Sequence, residues 1–172
     1  MRDKHVFLVG FMGSGKSTVG PLLARMLSQP FTDLDEMIVS SQGRSIRSIF
    51  ATGGEEYFRE LEARLLRQAL DSPPGVLALG GGTLLRQGNR RTIREKGTSV
   101  WLKISLGEAL ERCREETGRP LARDPAEFAR LYERRQPIYQ ECDLRVDVDK
   151  TPPEAICKEI VQRLKEKPDA VN

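Results

Sequence analysis

The stretch Gly10-Phe11-Met12-Gly13-Ser14-Gly15-Lys16-Ser17 restricts more than any other what this chain can fold into. It fits G-x-x-x-x-G-K-[ST], a loop between strand and helix whose backbone N–H groups cradle phosphates. Both flanks agree. Val6, Phe7, Leu8 and Val9 form an apolar, β-rich run closed by Gly10, which predicts a buried strand. Val19, Leu22, Leu23, Met26 and Leu27 then recur at helical spacing. Gly10, Gly13 and Gly15 let the backbone curl until several N–H groups face one anion, and the following helix adds the positive end of its dipole. The expected nucleotide contacts are Gly13, Ser14, Gly15, Lys16, Ser17 and Thr18, with Lys16 reaching the β- and γ-phosphates and the Ser17 hydroxyl on Mg²⁺. The pattern points to a bound nucleoside triphosphate.

Downstream, apolar runs alternate with helical patterns. Residues 30–35 predict a short strand ending in two acids, and a helical stretch runs from about Ser45 to Leu70, broken near Gly53-Gly54. A Pro-Pro-Gly turn precedes a buried strand over 76–79, which runs into Gly80-Gly81-Gly82. A short helix over 86–96, a strand over 99–103, a helix beginning near Leu106, a last strand over 143–147 and a closing helix over about 153–165 complete the chain. This alternation predicts an α/β fold, a three-layer αβα sandwich around a five-stranded parallel sheet. In such sheets ligands bind at the carboxyl ends of the strands. The phosphate loop, Asp33 with Asp35, and the glycine triplet all fall at those ends.

At 172 residues the chain is expected to be one domain. The net charge of +3 is mild, with bases and acids interspersed, which fits a small anionic substrate better than a nucleic-acid track. No leader and no transmembrane-length apolar run are read, so no membrane partner is expected. Cys113, Cys142 and Cys157 have no C-x-x-C spacing, which argues against zinc and for reduced thiols in a cytoplasm. His5 is the only histidine and precedes the first strand, which excludes a His-based nucleophilic triad and leaves it structural or solvated.

Asp33 and Asp35 alternate across a strand end, so one could face a metal through water while the other faces an acceptor hydroxyl. The plainer alternative is that they cap the next helix. Many phosphate-loop proteins end the strand at 76–79 in a metal-binding acid; here Gly80 follows, and Asp33 is the candidate for that role. Glu55, Arg59 and Glu62 are helical neighbours, either a surface salt-bridge ladder or a site in which Arg59 forks onto a carboxylate between Phe50 and Phe58.

These features occur in order with Phe50-x-x-x-Gly54-Glu55-x-x-Phe58-Arg59, Gly118-Arg119-Pro120-Leu121 and Arg135-x-Pro137-x-Tyr139. The ordered set resembles the shikimate kinases, of the nucleoside-monophosphate-kinase-like fold, over nearly the whole chain. That resemblance implies ATP-dependent phosphorylation of the 3-hydroxyl of shikimate, in aromatic amino-acid biosynthesis. It implies that Asp35 holds the acceptor diol and accepts its proton, and that Arg59 and Arg135 clamp the shikimate carboxylate. Gly80, Gly81 and Gly82 would lie beside the substrate, with Gly81 and Gly82 N–H groups assisting. Glu62 would orient an arginine of the clamp, Arg112 would pack on adenine, and Arg119 would reach the transferring phosphate from a mobile lid over about 113–125. Residues 35–62 would form the substrate-binding helical segment, and Ser17 and Asp33 would hold Mg²⁺. A monomer with ATP and shikimate as its only partners is the expectation.

Two departures stand out. Pro21 falls inside the first helix, where an interior proline costs about 3 kcal/mol, so a local kink or water insertion is expected, without loss of the site. Glu141-Cys142 is bulkier and more acidic than the pair usual there. The region 147–152, where adenine would lie, matches loosely. Two rivals remain open at this point: a kinase of the same fold for another acceptor, such as gluconate, and a nucleotide-dependent binding module.

Overall fold

The computed structural model describes residues 4–115 and 124–167. The chain opens with β1 (His5–Val9) and enters α1 (Lys16–Leu27) through the phosphate loop. Then come β2 (Phe31–Asp33), α2 (Leu34–Gln42), α3 (Ile46–Leu70) and β3 (Val76–Ala78). A 3₁₀ turn (Thr83–Leu85) leads to α4 (Gln87–Lys96), β4 (Gly97–Lys103) and α5 (Leu106–Glu115). The chain closes with α6 (Pro125–Tyr139), β5 (Leu144–Asp147) and α7 (Pro153–Glu166).

The five strands form one parallel sheet in the order β2-β3-β1-β4-β5. Leu8 lies in register between Ala78 and Val100. Every residue of β1 and β3 is buried, as strands covered on both faces require. The β1-to-β2 connection crosses the sheet in one direction and the later connections in the other. Right-handed crossovers therefore place α1 on one face and α3 and α4 on the opposite face. In keeping with this, α1 packs against α7 and α3 against α4. The result is the expected three-layer sandwich, with β1 at the reversal point of the topology, where ligands bind.

The break in the long helical stretch falls at Gly54, which has φ 76° and ψ 179° inside α3. Ser45 caps that helix, its hydroxyl accepting from Ser48 N–H at 3.2 Å. α1 continues as one helix through Pro21. His5 is buried and its Nδ1 accepts from Gly75 N–H at 3.2 Å, which makes it structural.

Three corrections concern local structure. Asp33 and Asp35 do not alternate along one strand: Asp33 ends β2 and caps α2, while Asp35 sits in the first turn of α2. The acids are local acceptors strong enough to start a helix there. A separate α6 was not among the expected elements. Asp124 caps it by accepting from Ala126 and Glu127 N–H at 3.0 and 3.1 Å, and Pro125 opens it. Cys113 already belongs to α5 and Asp124 to the cap of α6. The rest of the expected lid, Arg119 included, lies outside the described residues.

Candidate active site

At the carboxyl ends of β1, β2 and β3 lies a cavity of about 710 Å³, within the range of small-molecule sites. Its nucleotide end is built from one contiguous stretch. Gly13 and Gly15 adopt φ of 79° and 87°, conformations that turn the backbone inward and that side chains with a Cβ resist. α1 starts at Gly15 with no side-chain cap and no acid in its first turn, so its positive end is free for an anion. Gly13, Gly15, Lys16, Ser17 and Thr18 line the cavity. Ser14 does not: it is 1% exposed, and its N–H donates to the Phe11 carbonyl at 3.2 Å. Lys16 Nζ donates to the Gly10 and Phe11 carbonyls at 2.9 and 3.3 Å, folded along the loop.

Asp33 caps the next helix and also reaches the phosphate loop. Its Oδ1 caps α2, accepting from Asp35 N–H at 3.0 Å, and its Oδ2 accepts from the Ser17 hydroxyl at 3.0 Å. A hydroxyl and a carboxylate side by side, next to a phosphate cradle, suit a hard cation that keeps waters and completes its shell with substrate oxygens. Among the described residues no cluster of three or more His, Cys, Asp or Glu could hold a metal unaided.

Arg112, on α5, spans the loop and the far edge of the sheet. It donates to the Gly13 carbonyl at 3.1 Å and the Val148 carbonyl at 3.4 Å, and its ion pair with Glu108 closes to 2.5 Å. Glu108 in turn accepts from Lys150 N–H at 3.0 Å, so this chain of bonds reaches the loosely matched region near 147–152.

The other end of the cavity draws on three separate elements. Arg59, from α3, pairs with Glu62 at 2.9 Å and with the exposed Glu55 at 3.5 Å, and lies 5.1 Å over the Phe58 ring. Phe50 and Phe58 stack at 4.4 Å across the Gly54 break and form the apolar wall. Arg135, from α6, donates to the Gly81 carbonyl, and the Tyr139 hydroxyl donates to that same oxygen at 2.7 Å. A Cβ built on Gly82 would fall 2.6 Å from Arg59 Nη1 and 2.7 Å from Arg135 Nη1, so the two guanidiniums close over this glycine and would have to shift for any larger residue. Burial pulls the Arg135 pKa down; Tyr139 opposes this, and the charge of Arg59 adds to it. Two cations converge there, and Arg135 has no carboxylate partner among the described residues.

Asp35 lies between the two ends. Burial first, and then the charge of Asp33, push its pKa up to about 6, while Lys16 and Arg59 pull it down. A Cβ on Gly80 would sit 2.8 Å from Asp35 Oδ1 and 3.0 Å from Glu62 Oε1, so glycine is what lets both carboxylates approach. A carboxylate titrating near 6 beside a phosphate cradle is poised to accept a hydroxyl proton near neutral pH.

Of the expected site residues, Asp33, Asp35, Phe50, Phe58, Arg59, Gly80, Gly81, Gly82, Arg112 and Arg135 all line this cavity with the phosphate loop. Ile46, Glu62, Leu131 and Tyr139 join them. Of these, Ile46 and Leu131 carried no motif; their signal was apolar helical spacing alone.

A strand-loop-helix phosphate cradle, a raised carboxylate and two converging guanidiniums define a phosphate-loop kinase of a small molecule. The sequence profile of shikimate kinases matches residues 12–165. A shikimate kinase of Cereibacter sphaeroides is 43% identical over 171 residues, covering 98% of this chain and 86% of the relative. One of Persephonella marina is 40% identical over 163 residues, covering 94% and 99%. The solved structure of the Acinetobacter baumannii shikimate kinase in complex with shikimate superposes with a TM-score of 0.89 at 30% identity, covering 96% of each chain. The chain belongs to the shikimate kinase family. A protein from Thermus thermophilus, at 19% identity and a TM-score of 0.59, shares the fold alone.

Proposed function

We propose that this protein transfers the γ-phosphoryl group of ATP to the 3-hydroxyl of shikimate, giving shikimate 3-phosphate and ADP on the route to chorismate and aromatic amino acids. The observation that carries the reading is the pair Arg59 and Arg135 closing over Gly82 in the same cavity as the phosphate loop. Two guanidiniums fit a carboxylate, and Phe50 with Phe58 offers an apolar face to a compact ring.

Phosphoryl transfer needs positioning and charge neutralisation more than covalent chemistry. The backbone of 13–18 and the α1 dipole hold the phosphates, and Lys16 swings from the loop carbonyls onto the β- and γ-oxygens. Ser17 and Asp33 would hold Mg²⁺, which neutralises phosphate charge. Arg59, Arg135 and the Gly81 and Gly82 N–H groups fix the acid end, which points the ring hydroxyls at Asp35. Asp35 accepts the 3-hydroxyl proton as the oxygen attacks. Arg112 packs against the base. Arg119 would supply positive charge to the transferring phosphate. The protein works as a cytoplasmic monomer and a single domain, without nucleic acid or membrane.

The test is ADP release from Mg-ATP by the purified protein, with shikimate, quinate, gluconate and nucleoside monophosphates as separate acceptors. Release with shikimate alone is expected. Release with another acceptor alone would keep the kinase and overturn the substrate, and silence with every acceptor would favour a binding module.

A further inference from the structure

Glu62 is fully buried, and each of its oxygens has its own donor. Oε2 accepts from Arg59 Nη1 at 2.9 Å, and Oε1 accepts from the Thr83 hydroxyl at 2.7 Å. The Thr83 hydroxyl is the donor in this bond. Thr83 is itself fully buried, in the 3₁₀ turn that follows directly on the glycine triplet. That turn is held from both sides. Thr83 N–H donates to the Gly80 carbonyl at 3.0 Å, and the buried Asn89 donates through Nδ2 to the Thr83 carbonyl at 3.0 Å.

We propose that Thr83 is a positioning residue for the substrate carboxylate: its hydroxyl fixes the rotamer of Glu62, which in turn aims Arg59 into the site. The turn that presents the Gly81 and Gly82 backbone to the substrate thereby also sets the guanidinium that must meet that backbone. The other contacts of Arg59 are looser: Glu55 is 68% exposed and 3.5 Å away, and the Phe58 ring lies 5.1 Å beneath the guanidinium. Without the hydroxyl, Oε1 is a buried acceptor with no donor, a state that drives the carboxylate to turn and carry Arg59 with it. The inference rests on the reading of Arg59 as a carboxylate ligand.

The test compares Thr83→Val, isosteric but without a donor, with Thr83→Ser, which keeps the hydroxyl, and Thr83→Cys, a weak donor of similar size. For Thr83→Val the shikimate KM is expected to rise about tenfold while kcat and the ATP KM stay within about twofold. Thr83→Cys should fall between, and Thr83→Ser should restore wild-type KM to within about threefold; if the valine variant fails to fold, the cysteine variant carries the comparison. In a Glu62→Gln background, Thr83→Val should add less than about twofold, because the residue through which it acts is already altered. Wild-type shikimate KM in Thr83→Val, equal loss for both substrates, no rescue by serine, or full additivity with Glu62→Gln would each overturn the inference. A wild-type protein that neither binds shikimate by calorimetry nor phosphorylates it would overturn the functional reading and this inference with it. Wild-type binding together with an unaffected Thr83→Val would overturn the inference alone.

Discussion

The two ends of the cavity are made in opposite ways. The nucleotide end is one run of chain, residues 10–18, whose glycines, lysine and helix start are fixed by local geometry. The acid end is assembled from the first half of α3, the turn after β3 and the last turns of α6. A contiguous anion cradle needs only backbone conformation to form. A site spread over three elements needs the packed sheet to bring its parts within bonding distance. The two ends should therefore fail separately, and Asp35, between them, should report on both.

The largest effect should come from the nucleotide end. Lys16→Met should lower kcat by about a thousandfold or more, since a cation matched to transition-state charge is lost. Shikimate binding, followed by calorimetry, should change little; a matching loss of shikimate affinity would break the separation of the two ends.

Asp35→Asn comes next, with kcat lower by about a hundredfold or more. In the wild type, kcat/KM for shikimate should fall as pH drops through about 6, where Asp35 takes up a proton, and a pH–rate profile shows whether that limb disappears in the variant. The sign for stability is opposite. A pKa raised from 3.8 to about 6 on folding means that Asp35 stabilises the protein at low pH and loses that contribution as pH rises through 6. Asp35→Asn should therefore melt higher than wild type at pH 8, and the gap should close at pH 4.

Arg135→Ala and Arg59→Ala sharpen the acid end. Both should weaken shikimate binding by about a hundredfold and spare ATP binding. They should differ in stability. Arg135→Ala strips one donor from a carbonyl that keeps Tyr139, whereas Arg59→Ala leaves the buried Glu62 without its cation. The latter should cost roughly 3 kcal/mol, or about 6–12 °C in melting temperature by calorimetry. Equal melting temperatures for the two variants would show that Glu62 has no need of Arg59.

The smallest effect belongs outside the cavity. Glu141 pairs with Arg90 at 3.6 Å and Arg94 at 3.9 Å on the surface, and is itself 49% exposed. Glu141→Gln should shift stability by less than about 0.5 kcal/mol and leave both substrate affinities within twofold. A larger effect would mean that the acid end extends beyond the cavity wall.

The succession of strands and helices was legible in the sequence, but the elements around the acids were not. Periodicity announced β1, α1, β3 and the broken α3, because each buries a regular apolar face. It did not announce α2 or α6. Polar residues on α2 and charged ones on α6 dilute the apolar period, although Asp124-Pro125 is a legible helix start. Asp33 and Asp35 were legible as a pair. Their placement on cap and helix was not, because a short strand and a capped helix offer the same acids two competing roles.

By itself the sequence determined the phosphate loop, the parallel alternation and the residue types of the site. These rest on local rules: glycine at positive φ, a helix dipole at its start, apolar runs for strands covered on both faces. Only the tertiary structure decided that Ser14 turns away from the cavity, that Arg59 and Arg135 meet across Gly82, and that Thr83 donates to Glu62. The parallel sheet decided these because it sets residues 59, 83 and 135 side by side although long segments of chain separate them. Burial then makes each polar group there answer to whichever partner the packing supplies.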